Sequence, residues 1–177
     1  PINIPTGGPS GSGDNYLQVT GTGGPGPGGV PAAFNATSRW TGNYLAAGVT
    51  RISVNLLNPG NTQLEIRLVL HRTGGQLSDR WTSTTPFVLA PGGGWQFASF
   101  SLAESDLTRV LGSGAFNATI TDVGVLQFRH QTGPPSSGGT PLAAAFGLDN
   151  IRAVPEPASM AVLGTAFGWF AFRRRRR

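Results

Sequence analysis

The sequence contains no cysteine and no lysine, and only 12% of its 177 residues are charged. Without cysteine the chain can form no disulfide, no thiolate metal site and no cysteine nucleophile. The charged fraction is about half that of an average globular protein. Glycine (27) and proline (14) are abundant instead, and both residues favour turns between short elements over long helices.

The positive charge of the chain is concentrated at its last five positions. The formal net charge is +5, and eight arginines balance eight carboxylates before residue 173. The body is therefore neutral and lacks the basic stripe that binding to a phosphate backbone requires, so we predict no nucleic-acid partner. The excess charge is carried by Arg173, Arg174, Arg175, Arg176 and Arg177.

Two stretches in the middle of the body alternate between apolar and polar residues. Between residues 49 and 57 the apolar side chains Ile52, Val54 and Leu56 share one face, and between 64 and 70 leucine or isoleucine stands at every even position. This period of two predicts half-buried strands. The turn sequence Asn-Pro-Gly-Asn at 58–61 joins the two stretches, which together predict a β-hairpin.

The remaining pattern predicts an all-β fold. About eight short strands separated by Gly/Pro turns predict an antiparallel β-sandwich of the jelly-roll type over residues 14–153. Residues 1–13 are rich in Gly, Pro and Ser and are predicted to be a loop or linker. One or two turns of helix are predicted within residues 101–110, where Ser101 and Glu104 have capping-box spacing. Further strands are predicted at residues 16–20, 80–84, 87–89, 95–102, 120–129 and 143–154.

An uncharged apolar segment precedes the terminal arginines. As a helix, residues 158–172 would span about 23 Å, less than the ~30 Å hydrocarbon core of a bilayer. Arginine side chains reach the headgroups and aromatic rings favour the interface, so we predict a short C-terminal hydrophobic transmembrane helix with its arginines on the cytoplasmic side. Pro155 and Pro157 stop this helix from extending backward. The alternative is a buried C-terminal helix with a solvated charged end.

The order of these parts, Val-Pro-Glu-Pro, an apolar run and an arginine cluster, resembles the PEP-CTERM sorting signal of Gram-negative bacteria. The resemblance covers residues 154–177. It implies processing by an exosortase, a membrane-embedded cysteine protease or transpeptidase, near Pro155, Glu156 and Pro157. It also implies Sec export with a signal peptide upstream of Pro1, transient anchoring in the inner membrane, and association with exopolysaccharide and biofilm production.

The residues that could carry catalysis form no recognisable motif. His71 and His130 are the only histidines, and no further ligands stand at the spacing of a zinc site. Most carboxylates fall near predicted turns, and no nucleophile elbow is present. We predict that the protein is not an enzyme. An exopolysaccharide-active enzyme is kept as an alternative, with Glu65 or Asp79 as a candidate carboxylate.

The body resembles the carbohydrate-binding-module type of jelly roll. The resemblance rests on the strand count, on "GDNYLQVT" with Asp14 near the start, and on "FGLDNIRAV" with Asp149 in the last strand. In such modules a structural calcium joins the first and last parts of the sandwich, and Asp14 and Asp149 would supply two of its oxygens. The alternative is that Asp14 makes a turn and Asp149 bonds the nearby backbone, which leaves the protein without a cofactor.

Sugar binding requires exposed aromatic rings, because a ring face covers the apolar face of a pyranose. Trp40 and Tyr44 flank a predicted loop and Trp81 follows a polar stretch, so these three are the candidate glycan contacts. Trp95 is predicted to lie in the core, in line with Phe97. Core packing is the alternative for each candidate, since large aromatic residues dominate sandwich cores.

The sequence thus predicts an exported protein of the cell envelope or extracellular matrix, sorted by its C-terminal signal, whose body is a non-catalytic binding module associated with the matrix or exopolysaccharide. The alternative is a structural surface protein without a specific ligand. An affinity for exopolysaccharide that depends on Trp40 or Trp81 would favour the first of these hypotheses.

Overall fold

The computed structural model describes residues 1–74 and 79–155 of the chain. Two antiparallel sheets face each other across one core. The described part contains one short helix, α1 (Phe116–Ile120), and a single 3-10 turn at Glu104–Asp106. The strands are β1 (Ile2–Ile4), β2 (Tyr16–Thr22), β3 (Ala32–Asn35), β4 (Val49–Leu57), β5 (Leu64–Arg72), β6 (Arg80–Ser83), β7 (Phe87–Leu89), β8 (Trp95–Ser101), β9 (Leu107–Leu111), β10 (Val123–His130) and β11 (Ala143–Pro155).

The first sheet has five strands in the order β1-β2-β11-β4-β8, and the second has the order β3-β10-β5-β6-β9, with β7 paired to β5. The strands of the predicted hairpin, β4 and β5, therefore lie in different sheets. Asn58 is buried at this crossing and donates through Nδ2 to the carbonyls of Thr62 (2.8 Å) and Leu89 (3.1 Å). The stretch Asn-Pro-Gly-Asn therefore connects the two layers, and the predicted hairpin between β4 and β5 is wrong.

The core follows the alternation expected from the sequence. Ile52, Val54 and Leu56 of β4 are fully buried, as are the leucine and isoleucine residues of β5. Each such side chain contributes about 1.5–3 kcal/mol through burial, so these two central strands provide much of the stability of the sandwich. The predicted fold class, an antiparallel β-sandwich, is confirmed for the described residues.

The N-terminal segment that was predicted to be a linker includes a strand. Ile2 lies opposite Gln18 and Ile4 opposite Tyr16, so β1 covers the edge of β2. The loop that follows returns to β2, and the Asp14 carboxylate anchors it by accepting the Ser10 N–H at 2.8 Å. Gly/Pro/Ser content indicated a flexible segment, but unpaired backbone groups at the β2 edge favour an added strand.

Of the one or two helical turns predicted within residues 101–110, the structure has the single 3-10 turn at Glu104–Asp106. Only the 3-10 turn forms there, and β9 follows at once, with Leu107 opposite Ser83 of β6. Ser101 Oγ accepts the N–H of Ala103 at 3.2 Å, so no capping box is made. Pairing with β6 and burial of Leu107 outweigh a weak local preference for helix. The helix α1 lies ten residues later and was not predicted.

The last strand reaches the beginning of the predicted sorting signal. Val154 lies opposite Arg51 and Pro155 opposite Val49, so the paired part of β11 includes the first proline of Pro155-Glu156-Pro157. Glu156, Pro157, the apolar segment and the arginine cluster at 173–177 lie outside the described residues, as does the predicted C-terminal helix. Within residues 1–74 and 79–155, no helix has the length and apolar character needed to cross a bilayer.

Candidate functional site

The outer face of the second sheet carries a cleft of about 740 Å³. Strand β10 supplies its floor: Leu126 and Phe128 point into the core, and the residues that alternate with them point outward into the cleft. Two loops rich in glycine and proline form walls, one around Pro27 and Val30 and the other at residues 137–139. A cleft of this size on a rigid sheet is the usual form of a small-ligand site.

Strand pairing places the polar side chains of the cleft in adjacent rows. Arg129 lies opposite Arg67 of β5, and Val125 lies opposite His71. His71 is in turn opposite Arg80 of β6, so three neighbouring strands contribute to one polar surface. The outward position of these residues is what the alternation in β5 predicted, since the even-numbered residues occupy the core.

Arg129 is the most buried charge in the cleft lining, with 2% of its surface exposed. It donates through Nη1 to the Ser137 carbonyl and through Nη2 to Gln131 Oε1, each at 2.8 Å, and it also bonds the Ser136 carbonyl. Burial, followed by the charges of Arg80 and Arg67, lowers the pKa of Arg129 to about 10. The guanidinium therefore remains charged at neutral pH and fixes the 131–141 loop against the sheet.

Arg67 lies beneath this loop and is equally buried. Its guanidinium donates to the carbonyls of Ser83, Thr84 and Gly133, each at 2.6 Å. Burial lowers the pKa of Arg67, and the charge of Glu65 opposes that effect. Arg67 thus joins β6 and the 131–141 loop to β5 and makes the wall of the cleft rigid.

His71 and Gln127 form a hydrogen-bonded pair across the floor of the cleft. His71 Nε2 and Gln127 Oε1 are 2.8 Å apart. Burial lowers the pKa of His71 to about 4; the bond to Gln127 opposes this, and the charges of Arg80 and Arg129 reinforce it. The neutral imidazole donates to Oε1, because that oxygen can only accept. The Gln127 amide NH2 has no partner within residues 1–74 and 79–155, so it can donate to a ligand.

An exposed phenylalanine stands beside this amide. Phe34 of β3 lies opposite Gln127 of β10, lines the cleft, and has 72% of its surface exposed. An aromatic face next to an oriented amide donor suits a sugar, whose rings present apolar C–H faces and polar hydroxyls. Sequence reasoning missed Phe34, because its neighbours give β3 no clear alternation and its exposure depends on the edge position of that strand.

One end of the cleft contains ion pairs. Arg72 Nη1 is 3.6 Å from Asp79 Oδ2, and Arg72 Nε is 3.5 Å from Asp122 Oδ2. Asp79 Oδ1 also accepts the Gly114 N–H at 2.7 Å, which makes this carboxylate part of the scaffold. No aspartate or glutamate lines the cleft itself within the described part of the chain.

A second aromatic surface lies on the outer face of the first sheet. The rings of Tyr16 and Trp95 meet edge to face, 5.1 Å apart, above Gly147, where a Cβ would contact both rings at 3.1 Å. Phe97 is 69% exposed on the same face. The prediction that Trp95 and Phe97 lie in the core is therefore wrong: in β8 the buried residues are Ala98 and Phe100.

The rings predicted to contact a glycan do not line the cleft. Tyr44 is 6% exposed and Trp81 is 7% exposed, and Trp40 packs against the core. The Tyr44 hydroxyl donates to the Trp40 carbonyl at 2.8 Å, and burial raises the Tyr44 pKa to about 12. Trp81 packs edge to face on Phe116. The exposure expected for Tyr44 and Trp81 is therefore wrong: Trp81 packs on Phe116 of α1, and the Tyr44 N–H donates to the Ile120 carbonyl at the end of that helix.

The residues predicted to bind calcium engage the local backbone. Asp14 accepts the Ser10 N–H, and Asp149 Oδ1 accepts the N–H of Asn150 at 2.6 Å. Asn150 adopts a left-handed conformation (φ 51°) where the β11–β4 pairing shifts register. Within the described ranges, no group of three or more His, Cys, Asp or Glu side chains could hold a metal ion. The calcium site at Asp14 and Asp149, which backbone carbonyls would have to complete, stays a prediction.

The described residues have the fold of a carbohydrate-binding module. The chain superposes on the family 11 carbohydrate-binding module from Clostridium thermocellum in complex with a β-1,3-1,4-mixed-linked tetrasaccharide with a TM-score of 0.53 and 12% identity, covering 87% of this chain and 82% of that one. The solution structure of CtCBM11 gives 0.57 at 12% identity, with 88% and 82% covered. At this identity the likeness concerns the fold alone.

No curated protein matches the chain in sequence. The C-terminus, however, matches a family described as the PEP-CTERM protein-sorting motif over residues 153–176. The match includes Pro155, Glu156, Pro157 and the arginines up to Arg176, so the motif predicted from the sequence is confirmed. This motif implies export and processing by an exosortase. The chain is a jelly-roll domain with the fold of family 11 carbohydrate-binding modules, followed by a PEP-CTERM sorting motif.

Proposed function

We propose that the protein is a non-catalytic carbohydrate-binding protein of the cell envelope or extracellular matrix, delivered there by exosortase processing of its C-terminus. The observation that carries the binding function is the pairing of the exposed ring of Phe34 with the oriented amide of Gln127 in a cleft of about 740 Å³. The fold shared with carbohydrate-binding modules supports the same function.

The geometry indicates how a sugar would bind. The apolar face of a pyranose packs on Phe34, and the NH2 group of Gln127 donates to a hydroxyl or ring oxygen. His71 holds the Gln127 amide in one orientation, so little side-chain entropy is lost on binding. A lining without aspartate or glutamate in the described part of the chain lacks the facing carboxylates of glycoside hydrolysis and supports binding without catalysis.

Isothermal titration of the full chain against a panel of soluble neutral and acidic polysaccharides tests this function. A polyoxyethylene detergent should keep the chain in solution, because detergents with sugar headgroups would compete for the cleft. For a polysaccharide that binds, Phe34→Ala and Gln127→Ala should each weaken the affinity by about tenfold, the equivalent of one aromatic contact or hydrogen bond.

Phe97→Ala is the matched control, since Phe97 is 69% exposed and Phe34 is 72% exposed, but they lie on opposite sheets. If Phe97→Ala abolishes binding and Phe34→Ala does not, the binding site lies on the surface of Tyr16 and Trp95 and not in the cleft. An absence of binding to every polysaccharide would favour a structural surface protein without a specific ligand.

The sorting part of the proposal rests on the motif and on the position of Pro155. Strand β11 is paired with β4 up to Pro155, so the first residue of the processing motif lies in the last strand of the sandwich. Intact mass of the protein recovered from an exosortase-bearing Gram-negative strain should show loss of the segment after Pro155-Glu156-Pro157. A full-length C-terminus in that strain would contradict processing and favour a membrane anchor that is retained.

A further inference from the structure

The lining of the cleft differs in charge from the body of the protein. Of the eight arginines that precede residue 173, Arg72, Arg80 and Arg129 line the cleft, whereas no aspartate or glutamate of the described residues does. Residues 75–78, which lie outside the described part, are Gly-Gln-Leu-Ser and carry no ionisable side chain. Positive charge is therefore concentrated in the cleft, although the domain as a whole is neutral.

Only part of this charge is neutralised within the protein. Arg72 pairs with Asp79 and Asp122 at one end of the cleft. Within residues 1–74 and 79–155, Arg129 and the adjacent Arg67 form no ion pair: their partners are backbone carbonyls and, for Arg129, the amide oxygen of Gln131. Neutral acceptors satisfy the hydrogen bonds of these guanidinium groups without cancelling their charge.

The charges of these arginines also act on one another. Arg80 and Arg67 both lower the pKa of Arg129, although burial contributes more. Charges held in a partly buried cleft are screened less by water and salt than charges on an open surface. The result is a positive potential focused on the space beside Phe34 and Gln127, which attracts an anion.

We propose that the ligand of this cleft is an acidic polysaccharide whose sugars carry carboxylate groups, such as a uronan. This inference rests on the proposed function, and it narrows the ligand class. The carboxylate of the ligand lies near Arg80 and is attracted by the positive charge of Arg129. The sugar ring stacks on Phe34, and one of its hydroxyl groups accepts a hydrogen bond from the Gln127 amide.

A pair of ligands that differ only in charge tests this inference. Polygalacturonate or alginate and the same polymer after chemical reduction of its carboxyl groups should be titrated into the full chain. The acidic form should bind at least about tenfold more tightly, since one charge-assisted hydrogen bond is worth that factor. Affinity for the acidic form should fall severalfold between 50 and about 500 mM salt, and affinity for the reduced form should change little.

Substitutions at one arginine locate the effect. Arg80→Gln should weaken binding of the acidic polymer about tenfold and leave the reduced polymer unaffected, while Arg80→Lys should retain most of the preference because it keeps the charge. Arg51→Gln is the matched control, an exposed strand arginine on the opposite sheet. The far-ultraviolet circular dichroism spectrum and the melting temperature of each variant establish that it is folded. The comparison of the acidic and the reduced polymer uses the wild-type protein and does not depend on any variant.

The outcomes separate this inference from the proposed function. Equal affinity for the acidic and reduced polymers, or the same loss with Arg51→Gln as with Arg80→Gln, would overturn the charge preference and leave carbohydrate binding standing. Binding of the reduced polymer alone would also overturn it. Binding of neither polymer, together with no binding across the wider panel, would refute the proposed function itself.

Discussion

The stability of the sandwich should fall as the pH is lowered, and His71 is the group whose contribution can be isolated. Its pKa is lowered from 6.5 to about 4 in the folded protein, first by burial and then by Arg80 and Arg129. The unfolded chain therefore takes up a proton near pH 6.5, but the folded protein does so only near pH 4. Stability is thus constant above the unfolded pKa and is lost between about pH 6.5 and 4.

The size of this loss follows from the two pKa values. Between pH 7.5 and pH 5 the free energy of unfolding should fall by about 2 kcal/mol because of His71 alone. The pKa of His130 is also lowered, again mainly by burial, and it contributes in the same direction. The range above pH 5 is chosen because carboxylates titrate mostly below it.

Urea unfolding of the full chain, followed by tryptophan fluorescence at several pH values, measures this dependence. His71→Gln removes the titrating group, and its free energy of unfolding should fall by about 2 kcal/mol less than that of the wild type over the same range. Parallel profiles for the two proteins between pH 5 and 7.5 would refute the reasoning, as would a directly measured His71 pKa near 6.5.

Three further predictions concern the scaffold. Asn58→Ala should lower the free energy of unfolding by about 2–3 kcal/mol, because it leaves the buried carbonyl of Leu89 without its donor; urea denaturation measures this, and a loss below 0.5 kcal/mol would contradict it. Trp81→Ala should cost about 3–5 kcal/mol through the cavity it creates, and a stable variant with weakened glycan binding would instead show that Trp81 contacts the ligand. Addition of calcium or a chelator should not shift the melting temperature, since the Asp14 and Asp149 carboxylates both accept local backbone N–H groups; a calcium-dependent shift of several degrees would confirm the calcium site at these two residues instead.

The alternation of β4 and β5 made the core predictable, whereas β8 shows where alternation fails. Its sequence, Trp-Gln-Phe-Ala-Ser-Phe-Ser, carries aromatic residues on both faces, so either face could be taken as the buried one. The pairing with β4 determines which face is buried. Ala98 lies opposite Val54 and Phe100 opposite Ile52, so Trp95 and Phe97 lie on the outer face of the sheet. A shift of one residue exchanges the two faces of a strand, and the shift is set by a partner about 40 residues away.

The candidate site was predictable only in part for a similar reason. The sequence indicated the sorting motif, because its parts are contiguous, and the outward direction of Arg67 and His71. The sequence could not indicate that the 131–141 loop folds over Arg67 and Arg129. Arg129 holds this loop through the backbone carbonyls of Ser136 and Ser137, and every residue type has such a carbonyl. Nor could the sequence show that β3 brings Phe34 beside Gln127, because this pairing is long-range.

The most direct test of the account is a titration of the nitrogen-15-labelled full chain with an acidic polysaccharide fragment, followed by two-dimensional proton–nitrogen spectra. The side-chain signals report the two aromatic surfaces separately. A ligand bound in the cleft should shift the Gln127 amide NH2 and the Arg129 Nε–H signals. The indole N–H of Trp95, which donates to the Gly7 carbonyl at 2.9 Å, should not shift. Shifts at Trp95 with Gln127 and Arg129 unchanged would contradict the claim that the cleft of the second sheet is the binding site.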